Sequence, residues 1–149
     1  MDAGIRPARH GDVAQLVEAY EWLFAAPGSQ PPMWDPERAA TALEEAIRAP
    51  AAEVLVAELD GALAGFCTVY LDIRSVRFGD RAWVEDLAVD PHRRSLGVGK
   101  RLLDAAKDWA RSRGASHLEL DSSTARTDAH RFYEREQPSW RSMCFGWEL

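Results

Sequence analysis

Between the apolar run Trp83–Val89 and the helical stripe that begins at Val98 the chain reads D-P-H-R-R-S-L-G-V-G-K, from Asp90 to Lys100. Gly97 and Gly99 bring bare backbone to the first turn of that helix, where the leading amides have no partner inside the helix. Arg93, Arg94 and Lys100 add positive charge beside them. Outward amides, the positive end of a helix dipole and cations together make an anion site, best suited to phosphates.

Two common phosphate motifs fail here. A P-loop needs G-x-x-x-x-G-K-[ST], but Arg94 stands where its first glycine belongs and Arg101 follows Lys100. A dinucleotide fingerprint needs G-x-G-x-x-G, and its third glycine falls on Leu102. The pattern present is R-x-x-G-x-G, Arg94-Ser95-Leu96-Gly97-Val98-Gly99, after a V-x-P strand end. It resembles the pyrophosphate-binding motif of the GCN5-related N-acetyltransferases, which bind acetyl-CoA.

The resemblance implies direct transfer of an acetyl group from acetyl-CoA to a primary amine. By the same resemblance, the backbone of Leu87, Ala88 and Val89 would pair with the pantetheine arm. The amides of Ser95, Leu96, Gly97, Val98, Gly99 and Lys100 would hold the pyrophosphate. Arg94 fills the motif's basic position, and Arg126 and His130 would flank the coenzyme. Arg126 departs from the asparagine that many family members carry there. Asp128-Ala129-His130-Arg131-Phe132-Tyr133 is similar to the family's A-x-x-x-Y segment, which makes Tyr133 the expected general acid for the leaving thiolate. Read from that helix alone, Tyr133 is better taken as an amphipathic core residue beside Phe132. Glu85 is the expected base, and the Glu85-Asp86 pair looks like that of diamine and polyamine acetyltransferases. Strict strand alternation sends the two carboxylates to opposite faces. Gln137-Pro138 replaces the family's usual glycine–aromatic pair, so the turn there must differ.

Three functions follow as expectations. The first is an N-acetyltransferase acting on a small polyamine- or aminoglycoside-like amine. The second is a protein N-terminal or lysine acetyltransferase. The third is a coenzyme A sensor without turnover. Tyr20, Trp22, Trp34 and Trp140, with Glu18 and Glu21, are acceptor-wall residues under the first reading and plain core or surface residues otherwise.

The elements that must position these residues are legible in order. Gly4–Ala8 reads as a strand interrupted by Pro7. Asp12 heads a helical stripe through Val13, Leu16, Val17, Tyr20, Leu23 and Phe24. Asp35-Pro36 starts a second helix, to about Arg48. Glu53–Leu59 and Ala62–Leu71 flank the hairpin signal Asp60-Gly61. Asp72–Asp80 is expected to be loop. After the Trp83–Val89 strand and the long helix to Gly114 come a short strand (His117–Asp121), a helix capped by Thr127 or Asp128, and a final strand from Trp140 to Leu149. The order β-α-α-β-β-β-α-β-α-β gives a single α/β domain over 1–149, with a mixed, mostly antiparallel sheet flanked by helices.

Composition narrows the class. A net charge of −6 argues against a dedicated nucleic-acid binder. No apolar run nears the roughly 20 residues of a membrane span, and no signal-peptide core opens the chain, so cytoplasm is the default. Cys67 and Cys144 read as reduced, partly buried thiols. The four histidines lack metal-ligand spacing, so no metal is expected. A homodimer is compatible with the resemblance, and nothing in the sequence demands it.

Overall fold

The computed structural model describes residues 2–149. Five strands run in spatial order β1-β2-β3-β4-β5: Gly4–Pro7, Ala52–Leu59, Ala62–Ser75, Gly79–Val89 and His117–Glu119. The first four are antiparallel neighbours, and β5 is parallel to β4. Helices α1 (Val13–Ala19) and α3 (Pro36–Arg48) pack on one face, with the single turn α2 (Glu21–Phe24) between them. Helix α4 (Val98–Ser112) covers the other face, and α5 (Thr127–Arg135) follows β5.

Local chemistry explains most boundaries. Asp60 and Gly61 both have positive φ (54° and 76°), so β2 and β3 join through a two-residue turn whose twist suits a hairpin. Asp35 accepts from Glu37 N at 3.0 Å with Pro36 at the first helical position, which starts α3. Val98, Leu102, Ala106, Trp109 and Ala110 are buried along α4, the face its spacing indicates. Gly114, at φ 80°, ends it.

Gly65 fixes how closely α4 approaches the sheet. A Cβ there would lie 2.9 Å from the Ala88 carbonyl oxygen, 2.9 Å from Val98 Cγ1 and 3.0 Å from Leu102 Cδ1. Glycine therefore lets the first turn of α4 rest on β3.

Several expectations need correction. Asp72–Asp80 is loop only at 76–78: β3 runs to Ser75 and β4 starts at Gly79, and those two residues pair. Arg74 paired with Asp80, and Arg81 with Asp72, sustain the ladder where apolar alternation has faded. Asp12 does not cap α1 with its side chain; its carboxylate turns back to Arg9 N at 2.7 Å and to Arg6. The first helical stripe is broken at Tyr20 into α1 and α2. The α5 N-cap is Arg126, and it makes no side-chain cap bond. Cys67 is fully buried, whereas Cys144 is exposed.

The expected last strand is absent among the described residues: 140–149 forms no ladder. Alternating residues make a strand only where a neighbour offers amides and carbonyls, and here Met143, Phe145 and Trp147 are 80%, 69% and 80% exposed. Trp140 rests on His117, ring centroids 5.4 Å apart, beside β5.

Candidate active site

The site begins with a fault in the β3–β4 ladder. Thr68 pairs with Asp86 but Val69 pairs with Val84, so Glu85 is an extra, bulged residue. The bulge inverts the alternation of β4. Ala82 and Val84 point into the α4-side core before it, and Leu87 and Val89 pack on that same core after it. Glu85 and Asp86 therefore both face the α1/α3 side, contrary to strict alternation. Glu85 accepts from Trp83 Nε1 at 3.0 Å, and Asp86 accepts from the Tyr20 hydroxyl at 2.6 Å.

The same place is where the sheet splits. Parallel pairing of β4 with β5 covers only Arg81–His117, Ala82–Leu118 and Trp83–Glu119. From Val84 to Val89, β4 has no partner on that edge among the described residues. Leu87, Ala88 and Val89 thus offer a backbone edge to an extended, amide-bearing ligand.

Directly beyond Val89 a short 3₁₀ turn, Pro91–Arg93, leads to the loop and to α4. Ser95 and Gly97 have positive φ (63° and 81°), which aims successive amides to one side. Among the described residues, the amides of Ser95, Leu96, Gly97, Val98, Gly99 and Lys100 donate to no protein acceptor. Val98 is buried, so its side chain turns inward and anchors the loop's end. Arg94 is exposed and makes no hydrogen bond among the described residues. Arg93 ties the loop to the β2–β3 hairpin, donating to the Leu59 carbonyl at 3.2 Å. The Lys100 ammonium is engaged with Asp104 and Glu136, each at 3.1 Å. Its charge is thus spent on carboxylates, and only its backbone amide is left without a protein partner.

Tyr133 lies on α5, half-buried beside Phe132 at 5.2 Å between ring centroids. Phe132 packs on α4 and would lie 3.5 Å from a Cβ at Gly99. Burial pushes the Tyr133 phenol up to about 12; nearby Cys67 adds to this and the Arg126 guanidinium draws it partly back. His130 Nε2 donates to the Ser123 carbonyl at 2.9 Å, and Arg126 donates to the Leu23 carbonyl at 2.8 Å. Both side chains are committed to protein partners.

On the opposite side, Tyr20 and Trp34 (ring centroids 5.4 Å apart), with Tyr70, Leu43 and Asp86, line a cavity of about 200 Å³. A wider hollow of about 440 Å³ adjoins it through Tyr70, with Glu85, Trp83 and Asp72 on its walls. Burial raises the Asp86 carboxyl, and the neighbouring Glu85 charge raises it further, against the Tyr20 and Thr68 hydrogen bonds. Of the expected acceptor wall, Tyr20 and Trp34 line the cavity and Trp22 packs on Phe66 behind it. Trp140 stands apart, on β5. Sequence reasoning missed Tyr70, Trp83 and Asp72 as lining residues. The inward turn of Asp86 depends on the bulge, and no residue pattern announces it.

The sheet split, the loop of amides without protein acceptors and the acid-lined hollow thus all border on β4. The family model for the acetyltransferase (GNAT) family matches residues 14–137, and the chain belongs to that family. It is 48% identical over 59 residues to the uncharacterized N-acetyltransferase YhdJ of Bacillus subtilis, covering 40% of this chain and 42% of YhdJ. It is 38% identical over 76 residues to streptothricin acetyltransferase of Streptomyces lavendulae, covering 51% of this chain and 38% of that one. These matches span about half or less of each relative's length. In fold it matches the aminoglycoside N-acetyltransferase AAC(6')-Iy in complex with CoA, with a TM-score of 0.83 and 18% identity over 99% of this chain and 94% of that one. No helix among the described residues is long and apolar enough to cross a membrane.

Proposed function

We propose that this protein is an acetyl-CoA-dependent N-acetyltransferase acting on a small cationic amine, with Tyr133 as general acid. The observation that carries the reading is the run of six amides, Ser95 to Lys100, without protein acceptors at the end of an unpaired β4 edge. Those amides and Arg94 suit a diphosphate, and Leu87–Val89 suit the amide-bearing arm behind it. Glu85 and Asp86 face the acceptor hollow. Glu85 takes the amine proton directly or through one water, and Asp86 with Tyr20 lends negative charge to the same wall. The small size of the cavity, about 200 Å³, and its lining by Tyr20, Trp34, Tyr70 and Asp86 favour a small cationic amine over a peptide chain.

Tyr133 gives its proton to the departing sulfur. At about 12 the phenol is protonated throughout the neutral range. Against a thiol of ordinary pKa near 8.5 the transfer is uphill. The forming phenolate therefore needs support from its surroundings.

The test is release of free thiol from acetyl-CoA across an amine panel. Wild type turns over with polyamines or aminoglycosides, and Tyr133→Phe lowers kcat by roughly a hundredfold or more while acetyl-CoA affinity holds. Equal kcat in the two proteins removes Tyr133 from the mechanism. Binding of acetyl-CoA without thiol release from any amine makes the protein a sensor.

A further inference from the structure

Helix α5 carries the phenol, yet none of its residues is fully buried. Three ties hold it: Phe132 against the Gly99 turn, Glu136 with Lys100, and Arg126 with Leu23. The first two fasten α5 to α4, on the coenzyme side. The third differs. Arg126 Nη2 reaches 103 positions back along the chain to the carbonyl at the end of α2, on the acceptor side.

The receiving segment is shaped for that guanidinium. A Cβ at Gly28 would lie 2.6 Å from Arg126 Nη2 and 2.1 Å from the Leu23 oxygen, so only glycine leaves room for the contact. The same segment begins at Tyr20, whose hydroxyl holds Asp86. One side chain thus links the acid-bearing helix to the wall that faces the amine. Arg126 is the N-cap residue of α5, at the head of the nine-residue helix that carries Tyr133.

We propose that Arg126 is a positioning residue: it fastens α5 to the acceptor-side segment at Leu23 and Gly28 and keeps a fixed cation beside the Tyr133 phenol. The inference rests on the acetyl-transfer reading above. It gives Arg126 a role distinct from contact with the coenzyme. The cation favours the phenolate that remains when the proton leaves, in the direction its charge already acts on the resting phenol. A guanidinium suits the task because it stays charged and can donate to a carbonyl while its charge acts elsewhere.

The experiment is a double-mutant cycle on thiol release, with acetyl-CoA affinity measured separately by calorimetry. Arg126→Ala lowers kcat about tenfold and leaves acetyl-CoA affinity within twofold. In a Tyr133→Phe background the same change costs less than twofold, because the residue it serves is gone. Arg126→Lys, which keeps the charge, retains more turnover than Arg126→Gln, which keeps only a donor. This comparison stands even if the alanine variant does not fold. Three results overturn the proposal: equal losses in the two backgrounds, a loss of acetyl-CoA affinity at unchanged kcat, or Gln equal to Lys. In each of these Tyr133→Phe remains impaired and the acid assignment survives. Wild-type turnover of Tyr133→Phe overturns both.

Discussion

Asp86 shows what one added residue does to chemistry. On a regular strand it would point away from Glu85. The bulge turns both toward the α1/α3 side, where Asp86 is buried against Tyr20 without a cation among the described residues. Its carboxyl titrates above the ordinary value near 3.8. Between the unfolded and folded pKa values the folded chain keeps a proton that the unfolded chain has released. Asp86 therefore favours the fold most below the unfolded pKa, and that contribution is lost as pH rises through the raised folded value. Asp86→Asn keeps an acceptor for the Tyr20 hydroxyl and removes the buried charge. Its melting temperature should exceed that of wild type at pH 8, and the gap should shrink below pH 4. A lower melting temperature at pH 8 would contradict this account of the site.

At the scale of elements, the contact between β3 and the start of α4 decides whether the loop amides line up. Gly65 allows that contact, with Ala88, Val98 and Leu102 all within about 3 Å of where a Cβ would sit. Two of those obstacles are side chains on the helix and one is strand backbone. Gly65→Ala should therefore destabilise the fold by roughly 1–3 kcal/mol in urea titration. It should also weaken acetyl-CoA binding more than an equally destabilising change on α3, because it lifts the turn that carries the amides. Equal affinity for the two variants would mean that the loop is set independently of α4 packing. The hairpin at Asp60-Gly61, the cap at Asp35-Pro36 and the buried stripe of α4 were readable because each depends on neighbours in sequence. The extension of β3 and β4 past Leu71 was not, since cross-strand ion pairs rather than apolar alternation hold it.

For the molecule as a whole, a ligand that bridges the β4 edge and the loop should raise the melting temperature by mass action. Acetyl-CoA at about a hundredfold excess over its Kd should add roughly 5–10 °C. No shift would count against every reading that places the coenzyme here. The tail gives the opposite prediction. Met143, Phe145 and Trp147 bury little, so removing 143–149 should leave the melting temperature within about 1 °C and thiol release unchanged. A large loss of stability would mean that the tail is covered in solution.

The sequence by itself determined the glycine-rich turn that starts α4, the order of the five strands and the longer helices up to α5, and the family to which the chain belongs. These depend on periods, caps and turns, which act over a few residues. Only the tertiary structure decided that the β4–β5 ladder stops at Trp83, that Glu85 and Asp86 share a face, that Arg126 reaches Leu23, and that the last alternating segment stays unpaired. Each of these depends on which distant backbone lies alongside. A ladder, a bulge or a cross-chain hydrogen bond belongs to two segments at once, and neither segment alone encodes it.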